Sequence, residues 1–467
     1  MPRLVLGVAA AALLAATPGL VHAQGFQVNE HGTCVMGRAG VGTPKPCGDG
    51  SSIFYNPAGI GGLGTVISLG VTGIYAYGGF QDDYTGGNAE LQNSLIPVPH
   101  LYLTYGITPK FTAGLGVFVP YGLGTVWEST FEGRFNGYDN DLKSIYIQPT
   151  VAWKPNDMIS FGVGLDLVMG SVKLTQRVDL SEQGVPGQPI TFGNLGIPFH
   201  TDLADGQLHA GGAHGIGGNF GILFEPGEGV SIGARYLTRV KLDYEGDVVF
   251  EQFQNGLILP PQNPIALAIP GIDPNLPLPV DAFVAGLGLF EEGATLGPQK
   301  ALTSITMPDQ FSLGVAVSPS DKFTLMGEWQ WVNWQLFETL EVDFENAPDR
   351  SIIENYQNTN GFRLGMEWLP TGTFTLRGGY LYHEGAAPPE TVTPLLPEGA
   401  RNEFTLGGGF RISQILRADI AYQYIRQNKR RGRVREPESG VAPSLDLNSG
   451  VYTFNAHLFG VTLTAAF

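Results

Sequence analysis

The chain has 467 residues, of which only 15% are charged, with 66 glycines, 17 tyrosines and a net charge of −17. Globular proteins carry about 25% charged residues, so this composition argues against a series of ordinary soluble domains. It favours a membrane β-barrel, whose outer wall faces lipid and whose rims carry aromatic side chains. The negative charge disfavours nucleic acid as a partner, because phosphates are bound by Lys and Arg.

Residues 1–23 are typical of an export signal. Arg3 gives a weakly positive start, residues 4–16 are an unbroken apolar run, and Val21-His22-Ala23 places small residues before a cleavage point at Gln24. An N-terminal membrane anchor is the alternative, but the run is too short to span a bilayer comfortably. No later stretch is long and apolar enough for a transmembrane helix, so none is expected in the mature chain.

Residues 24–64 are predicted to form a small plug, or hatch, for the barrel. The segment is rich in glycine, contains Tyr55-Asn56-Pro57-Ala58 and fits neither a strand nor a long helix. Its last part, Gly59–Gly64, matches the G-x-G-x-x-G dinucleotide fingerprint, but no strand precedes it and a β-patterned segment follows. We interpret this run as the flexible exit from the hatch, and we predict no cofactor.

Both cysteines, Cys34 and Cys47, lie in the hatch. An exported chain folds in a compartment that permits disulfides, and closing a loop this short would stabilise the fold by about 3 kcal/mol. Two free thiols are the alternative to a disulfide. No metal site is predicted, because a metal needs more ligands and only His31 lies nearby.

Residues 65–467 are predicted to form an all-β, transmembrane antiparallel β-barrel. Many segments alternate apolar residues with Gly, Ser, Thr or charged residues, as barrel strands do. In one of them the apolar stripe is Ile159, Phe161, Val163, Leu165 and Leu167. Counting hairpins gives about 14 strands of about 10 residues each. A soluble β-sandwich would bury these stripes in a core, but a sandwich of this length would more often show linkers between domains, and none is evident.

The last residues, 450–467, alternate in the same way and end in Phe467. A terminal Phe behind alternating apolar residues resembles the signal that the outer-membrane barrel assembly machinery recognises, so this machinery is a predicted partner. Together with the export signal, it predicts the outer membrane of a Gram-negative-type bacterium as the location, with outer-membrane lipids around the wall.

Short turns and long loops alternate along the predicted barrel, which is the usual asymmetry of such proteins. Long extracellular loops are expected at about 176–210, 247–303, 384–401 and 428–449. The segment 257–290 is rich in proline, which excludes a central strand, and it is too apolar for an ordinary loop. It could form an apolar entrance surface or merely cover the barrel top, and both interpretations stay open.

Several short motifs, spread over nearly the whole mature chain, occur in an order that points to one family. They are Gly25-Phe26-Gln27, Gly37-Arg38-Ala39, Ser51–Ala58, Pro120–Leu123, Tyr236–Lys241, Met307-Pro308-Asp309, Pro388-Pro389, Pro397-Glu398 with Arg401, and Leu458-Phe459-Gly460. With them the chain resembles the FadL/TodX outer-membrane transporters of long-chain fatty acids and other hydrophobic compounds.

The resemblance implies a fourteen-stranded barrel with a hatch, ligand capture at an outer groove and release through a lateral gap in the wall. In the family the gap lies at a kink in the third strand, near the Asn-Pro-Ala of the hatch. Asn56, Pro57 and Ala58 are therefore expected to form the gate. Pro120, with Tyr121 and Gly122, is expected to form the kink, because proline cannot donate to a ladder.

A fatty acid needs an apolar surface and a cation for its carboxylate. By resemblance, Arg401, Lys173 and Arg177 are the candidate cations; alternatively, they pair with loop acids or line the lumen without a ligand role. Residues 337–341, where the family often has another basic residue, are acidic. Neutral aromatic or alkane hydrocarbons are therefore an alternative ligand class.

Two other functions are less well supported by the sequence. An enzyme needs a nucleophile with its base, and none of the histidines lies in a recognisable nucleophile motif. A general diffusion porin would leave an open aqueous lumen, whereas this chain supplies a plug. The expected function is passive uptake of hydrophobic small molecules.

Overall fold

The computed structural model describes residues 25–185 and 188–467. The export signal predicted for residues 1–23 lies outside these ranges, as does Gln24. Among the described residues, no helix is both long and apolar enough to cross a membrane.

Strands dominate the described residues, and the helices are short. The strands are β1 (Val66–Asp82), β2 (Asn88–Glu90), β3 (Ile96–Thr108), β4 (Phe111–Val126), β5 (Asp139–Asn156), β6 (Ile159–Asp179), β7 (Asp202–Gly227), β8 (Val230–Leu237), β9 (Val240–Gln252), β10 (Ile258–Leu259), β11 (Leu278–Pro279), β12 (Gln299–Met307), β13 (Gln310–Ser320), β14 (Phe323–Val332), β15 (Thr339–Phe344), β16 (Arg350–Ile353), β17 (Thr359–Trp368), β18 (Phe374–His383), β19 (Arg401–Arg411), β20 (Leu416–Gln427), β21 (Arg430–Gly432) and β22 (Gly450–Ala466). The α-helices are α1 (Thr33–Met36), α2 (Ser52–Tyr55), α3 (Pro264–Ala268) and α4 (Val280–Ala285). Short 3₁₀ helices cover Pro57–Ile60, Glu132–Phe135, Leu180–Glu182, Gly193–Leu195, Trp334–Leu336, Pro389–Thr391 and Leu445–Leu447.

Fourteen strands close into an antiparallel barrel, which confirms the predicted fold class. Around the ring they are β1, β3, β4, β5, β6, β7, β8, β13, β14, β17, β18, β19, β20 and β22. The first and last strands complete the circle, from the Val66–Ala466 pair to the Asp82–Gly450 pair. A closed ring leaves no sheet edge, which is what a hydrocarbon environment demands.

The two faces of the wall differ as the sequence predicts. On β6, Phe161, Val163 and Leu165 point outward and are 37–53% exposed, whereas Ser160 and Asp166 point inward and are buried. Apolar side chains therefore face lipid and polar ones face the lumen.

Beyond the membrane-spanning part, several strands continue outward after an interruption. β8 continues as β9 after Thr238-Arg239, and β12 precedes β13 across Pro308-Asp309. β14 and β15 are separated by the helix Trp334–Leu336, and β16 and β17 by residues 354–358. The strands β14, β17 and β18 have the predicted length of 10 residues, whereas β7 reaches 26.

The extended strands also shorten the loops relative to the predicted bounds. The loop expected at 176–210 spans 180–201, and the one expected at 247–303 spans 253–298, because β6, β7, β9 and β12 continue outside the membrane. Loops at 384–400 and 428–449 lie close to their expected positions, although the latter contains the short strand β21.

The apolar segment 257–290 packs into a small core of its own outside the wall. Ile265, Val280 and Val284 are buried there against residues of the 180–201 loop, such as Phe192 and Leu195. α3, α4 and the β10–β11 pair shape this segment. Some of its side chains stay exposed, namely Ile258, Leu267 and Leu276, so the segment presents apolar surface outside this core.

Candidate functional site

The hatch segment (residues 25–64) lies inside the ring and is in close contact with its wall. Backbone and side-chain atoms of the hatch lie against glycines on strands all round the barrel. A Cβ at these glycines would come within 3.1 Å of a hatch atom: Gly114, Gly116, Gly162, Gly221, Gly233, Gly314, Gly365, Gly379, Gly407 and Gly460. For example, a Cβ on Gly365 would be 2.5 Å from the Arg38 carbonyl oxygen. Glycines on the inner wall thus make room for the hatch backbone.

Polar contacts hold the hatch as well. The buried Glu328 carboxylate accepts hydrogen bonds from the Gly42 and Thr43 amides, at 3.2 and 2.9 Å. Arg363 on β17 pairs with Glu328 at 2.8 Å, so this buried carboxylate is neutralised from the wall. Such charge-assisted bonds are stronger than neutral ones.

A disulfide joins Cys34, in α1, to Cys47, 13 residues later. The carboxylate of Asp49 lies close to both sulfurs, but sulfurs joined in a disulfide do not offer thiolate ligands to a metal. The Cys47 carbonyl accepts a hydrogen bond from Arg417 at 3.0 Å. The bridge therefore ties the first half of the hatch together and rests on β20.

The tripeptide Asn56-Pro57-Ala58 packs against β6 and β7. The Asn56 amide donates to the Ile222 carbonyl at 3.0 Å, and its side-chain oxygen caps the following 3₁₀ helix through Ala58. Cβ positions on Gly162 and Gly221 would overlap Pro57 and Asn56. The tight contacts of the tripeptide thus lie two and three strands further round the ring than Pro120, and its role as a gate stays a prediction.

The strand pairing of the wall is interrupted between β3 and β4. Pairing of these strands ends at Leu101 and Val117; above that point residues 96–100 of β3 pair with β1, and residue 118 and residues 121–126 of β4 pair with β5, but the two sets do not pair with each other. Contacts from Asn93 to β4, such as the 2.8 Å bond to the Gly124 carbonyl, close the upper end. We call this interruption the β3–β4 gap.

Proline lies on both sides of the β3–β4 gap. Pro120 sits where the pairing of β4 with β5 shifts, between Phe118 and Tyr121, and Pro97 and Pro99 lie on the opposite edge. A proline has no N–H to donate, so both edges are poor partners for each other. The structure places the predicted Pro120-Tyr121-Gly122 segment at this gap, whereas Pro97 and Pro99 were missed by sequence reasoning.

The first described hatch residues cover the inner side of the β3–β4 gap. Val28 donates to the Pro120 carbonyl at 2.9 Å, and Gly122 donates to the Phe26 carbonyl at 3.0 Å. Gln27 forms an antiparallel bridge with Tyr121. The hatch therefore takes up hydrogen-bonding groups that β3 leaves unpaired on β4.

His31 of the hatch lies behind the same strand. Its ring packs edge-on against Phe54, with centroids 4.3 Å apart, and near Phe118 of β4. Burial lowers the pKa of His31 well below its usual value, so the imidazole is neutral and acts as an aromatic packing residue.

An aromatic cluster surrounds the first described hatch residues, Gly25 and Phe26, which we call the hatch tip. Its members are Phe26, Tyr121, Trp334 and Phe337. Phe26 packs edge-on against Trp334 and Phe337, with ring centroids 4.8 and 5.8 Å away, and also near Tyr121. Gly25 has a φ of 59°, and a Cβ there would lie 2.5 Å from the buried Trp334 ring, so only glycine fits this position. This aromatic cluster adjoins the β3–β4 gap through Tyr121.

Two charged side chains flank the tip. Glu398 is fully buried and accepts from the Gly25 amide at 2.5 Å and the Ala387 amide at 2.8 Å. Arg401 donates to the Gly25 carbonyl at 3.4 Å and lies over the Phe454 ring at 5.6 Å. Among the described residues Arg401 makes no ion pair, and its Nε has no hydrogen-bond partner.

The other two predicted cations are already paired. Lys173 contacts the Asp139 carboxylate at 2.5 Å. Arg177 contacts Asp205 at 3.1 Å and Asp202 at 3.5 Å. Of the three candidates, only Arg401 is brought beside the aromatic cluster, and sequence reasoning missed Trp334, Phe337 and Glu398 as its neighbours there.

The described C-terminal residue, Phe467, lies at the turn end of the barrel. Its amide donates to the Thr65 carbonyl at 2.9 Å, and the side chain is 71% exposed. The ring is therefore accessible on the folded barrel.

Comparison with known proteins gives a consistent result. The model of the family described as outer membrane protein transport protein (OMPP1/FadL/TodX) matches residues 13–467. Outer membrane protein P1 of Haemophilus influenzae is 23% identical, with 98% of each chain covered. The long-chain fatty acid transport protein of Escherichia coli K12 is 22% identical over 95% of this chain and 94% of its own length.

Solved structures share the fold. A Pseudomonas aeruginosa FadL homologue superposes with a TM-score of 0.74 at 22% identity, covering 95% of this chain and 100% of the other. The toluene transporter TodX of Pseudomonas putida gives a TM-score of 0.67 at 16% identity, covering 96% and 99%.

Proposed function

Because the chain belongs to the OMPP1/FadL/TodX family of outer membrane transport proteins, we propose that it carries out passive uptake of long-chain fatty acids or similar hydrophobic molecules. The main support for this proposal is the β3–β4 gap, which lies beside the aromatic cluster in a barrel whose lumen is plugged. An apolar molecule held by the cluster would leave sideways into the bilayer, and it would not need to cross the polar lumen.

The proposed path begins at the outer mouth. Exposed Ile258 and Leu267 of the 257–290 segment offer an apolar surface for capture. The molecule then passes to the aromatic cluster, where Arg401 pairs with a carboxylate by a charge-assisted hydrogen bond. Phe26 and the hatch tip must move to admit it, because they fill this space.

No covalent step is part of this proposal, and it requires no cofactor. The surrounding partners are outer-membrane lipids on the apolar wall. The barrel assembly machinery would recognise the last strand through the exposed Phe467.

Neutral aromatic or alkane hydrocarbons are the second candidate ligands. This alternative is favoured by the pairing of Lys173 and Arg177 with aspartates, which leaves Arg401 as the single candidate cation of the three without an ion pair among the described residues. A cluster of Phe and Trp rings binds a hydrocarbon without any cation. A general diffusion porin fits less well, because the hatch fills the ring.

Native mass spectrometry of the detergent-extracted protein tests the proposal. Co-purification or added binding of a long-chain fatty acid is expected, and loss of that ligand in Arg401→Gln but not in Lys173→Gln would support the carboxylate site. Binding of toluene or an alkane in preference to fatty acids would favour the second candidate. If the protein binds no hydrophobic molecule, even when one is added, both candidate ligand classes are contradicted.

A further inference from the structure

The wall has a second stretch without strand pairing, between β7 and the strand formed by β8 and β9. Pairs join β7 to β8 up to Asn219 and Leu237, and join β7 to β9 from Ala210 and Gly246 upward. Between them, no pair joins the described residues 211–218 and 238–245. Two bonds close the lower end: the Gly218 amide donates to the Thr238 hydroxyl at 2.8 Å, and the Thr238 amide donates to the Gly218 carbonyl at 2.9 Å. We call this stretch the β7–β9 seam.

An irregularity in β7 marks the upper end of the seam. Ala210 and Ala213 both point inward. In a regular strand one outward residue separates two inward ones, but here two residues, Gly211-Gly212, stand between them. Pairing with β6 shifts at the same place, and Gly212 has a φ of 72°. These are the marks of a β-bulge.

A matching irregularity lies at the lower end, in the opposite strand. Leu237 and Val240 are both buried, so Thr238-Arg239 shifts the inward positions there. The pairs between the two strands have the same register above and below the seam. Between the two bulges, however, residues that would face each other in this register point to opposite faces of the wall. Ala213 is buried, whereas its would-be partner Asp243 has a side chain that is 72% exposed. A one-residue slip of this kind prevents a regular ladder.

Side chains, and not a backbone ladder, close the seam. Val240 fills the space beside two glycines of β7: its methyl carbons lie 2.4 and 2.7 Å from the Cβ positions of Gly215 and Gly217. Tyr244 and Leu242 reach past β7 to Gly170 of β6, whose Cβ position is 2.6 Å from the Tyr244 hydroxyl. Because rotamers change far more readily than ladders of hydrogen bonds break, this closure is weak.

Buried polar atoms without partners lie directly behind the seam. Both carboxylate oxygens of Asp166 and the hydroxyls of Tyr146 and Tyr244 have no hydrogen-bond partner among the described residues. Asp166 and Tyr146 are fully buried, and the Asp166 Cβ is 3.6 Å from the Cβ position of Gly217. Leaving such groups buried and unpaired costs free energy, which a bound polar group would recover.

The seam is also continuous with the aromatic cluster. Val240, Leu242 and Tyr244 belong to the same buried apolar cluster as Phe26 and Trp334. An amphipathic molecule could therefore rest its chain in the aromatic cluster while its head lies beside Asp166.

We propose that the β7–β9 seam is a side entrance to the aromatic cluster, just outside the membrane-spanning part of the wall, where outward side chains of β9 such as Lys241 and Asp243 are exposed; it is used by uncharged amphipathic molecules with a hydroxyl or amide head. Asp166 supplies acceptors for a donating head group, and Tyr146 and Tyr244 supply hydroxyls that donate or accept. This inference rests on the proposed uptake of hydrophobic molecules and adds to it a route and a ligand class.

A cross-link across the seam tests the opening. The Val240 methyl carbon lies 2.7 Å from the Cβ position of Gly217, so Gly217→Cys with Val240→Cys suits a disulfide, whose Cβ atoms lie about 3.5–4.5 Å apart. The matched control is Phe220→Cys with Tyr236→Cys, which are directly opposed on the paired part of the same strands. Wild type receives the same oxidation and reduction, because it carries the Cys34–Cys47 disulfide.

The readout is the initial rate at which proteoliposomes take up a labelled long-chain alcohol. The seam cross-link is expected to lower this rate toward half, the value for two entrances that share the flux equally, and reduction should restore it. A rate equal to that of the cross-linked control would overturn the side entrance. If wild type itself takes up neither the alcohol nor a labelled fatty acid, the proposed function fails instead.

Two further variants keep the inference testable if the cross-linked protein does not fold. Tyr244→Ala removes a side chain that closes the seam, and it should raise alcohol uptake; an unchanged or lower rate in a folded barrel would count against the opening. Asp166→Leu should lower uptake of the alcohol relative to an alkane of equal length. An unchanged ratio would overturn the head-group assignment.

Discussion

At the scale of single residues, Arg401 is the proposed contact that would distinguish an acid ligand from a neutral one. It lies beside the hatch tip without an ion pair among the described residues, whereas Lys173 is paired with Asp139. The sequence identified both as candidates but could not separate them. The pairing depends on Asp139, Asp202 and Asp205, which the fold brings to these strand ends from neighbouring strands.

Replacing Arg401 is expected to weaken fatty-acid binding. A hydrogen bond to a charged group contributes about 1.5–3 kcal/mol, so Arg401→Gln should raise the Kd for a long-chain fatty acid by roughly tenfold or more. Lys173→Gln is the matched control and should leave the Kd unchanged. Titration calorimetry with the detergent-solubilised protein measures both, and equal effects of the two variants would argue against a special role for Arg401.

A single glycine in the wall should control how the hatch is seated. A Cβ on Gly365 would lie 2.5 Å from the Arg38 carbonyl, so Gly365→Val forces the hatch away from β17 at a cost of about 1–3 kcal/mol. We expect faster permeation of a small sugar in a liposome swelling assay. Gly372→Val is the control, because no atom lies within 4 Å of its Cβ position; equal permeation in the two variants would contradict the tight contact.

At the scale of elements, the wall pattern was predictable and its interruptions were not. Alternation such as that of Ile159–Leu167 directly reports which face meets lipid, and the β6 faces agree with it. The β7–β9 seam depends on two bulges in different strands, at Gly211-Gly212 and Thr238-Arg239. Neither bulge is visible in a local alternation pattern, because each shows only once its strand is paired with its neighbours.

The hatch was predicted from its position and glycine content, but its orientation was not. Asn56-Pro57-Ala58 lies on β6 and β7 because Gly162 and Gly221 leave room for it there. The first residues, Phe26 to Val28, cover the β3–β4 gap instead. Which part of a hatch meets which strand is set by contacts between residues that lie far apart in the sequence.

Replacing Pro120 should narrow the β3–β4 gap. Pro120→Val restores an N–H and a strand-forming side chain at the shift in β4, and we expect slower uptake of a labelled fatty acid by cells that lack other carriers. Pro149→Val is the matched control, since Pro149 lies where the pairing of β5 with β6 is interrupted but is outside the β3–β4 gap, paired with Leu115 of β4. Uptake that is normal in both properly inserted variants would indicate a route that avoids this gap.

The disulfide should restrict motion in the first half of the hatch. In Cys34→Ser with Cys47→Ser, the lost loop constraint lowers the free energy of unfolding by about 3 kcal/mol, and hydrogen exchange should accelerate within residues 34–47. Hydrogen–deuterium exchange with mass spectrometry measures this change, with residues 59–64 as the internal comparison. Exchange that is unchanged within residues 34–47 would show that the wall contacts alone hold this part.

At the scale of the whole molecule, the barrel combines a lipid-facing wall with a filled lumen. The hatch contacts glycines on many strands, and the aromatic cluster occupies the space beside the β3–β4 gap. An apolar molecule can use a sideways path past such a plug, whereas a hydrated solute has no comparable route. This difference separates the protein from a diffusion porin of similar fold.

The most direct test measures two rates on the same proteoliposomes that contain the wild-type protein. These are the transfer of a labelled long-chain fatty acid and the permeation of a small sugar. We predict that the protein accelerates fatty-acid transfer well above that of protein-free liposomes while sugar permeation stays at the background rate. Rapid sugar permeation, or no acceleration of fatty-acid transfer, would contradict lateral uptake of hydrophobic molecules through a plugged barrel.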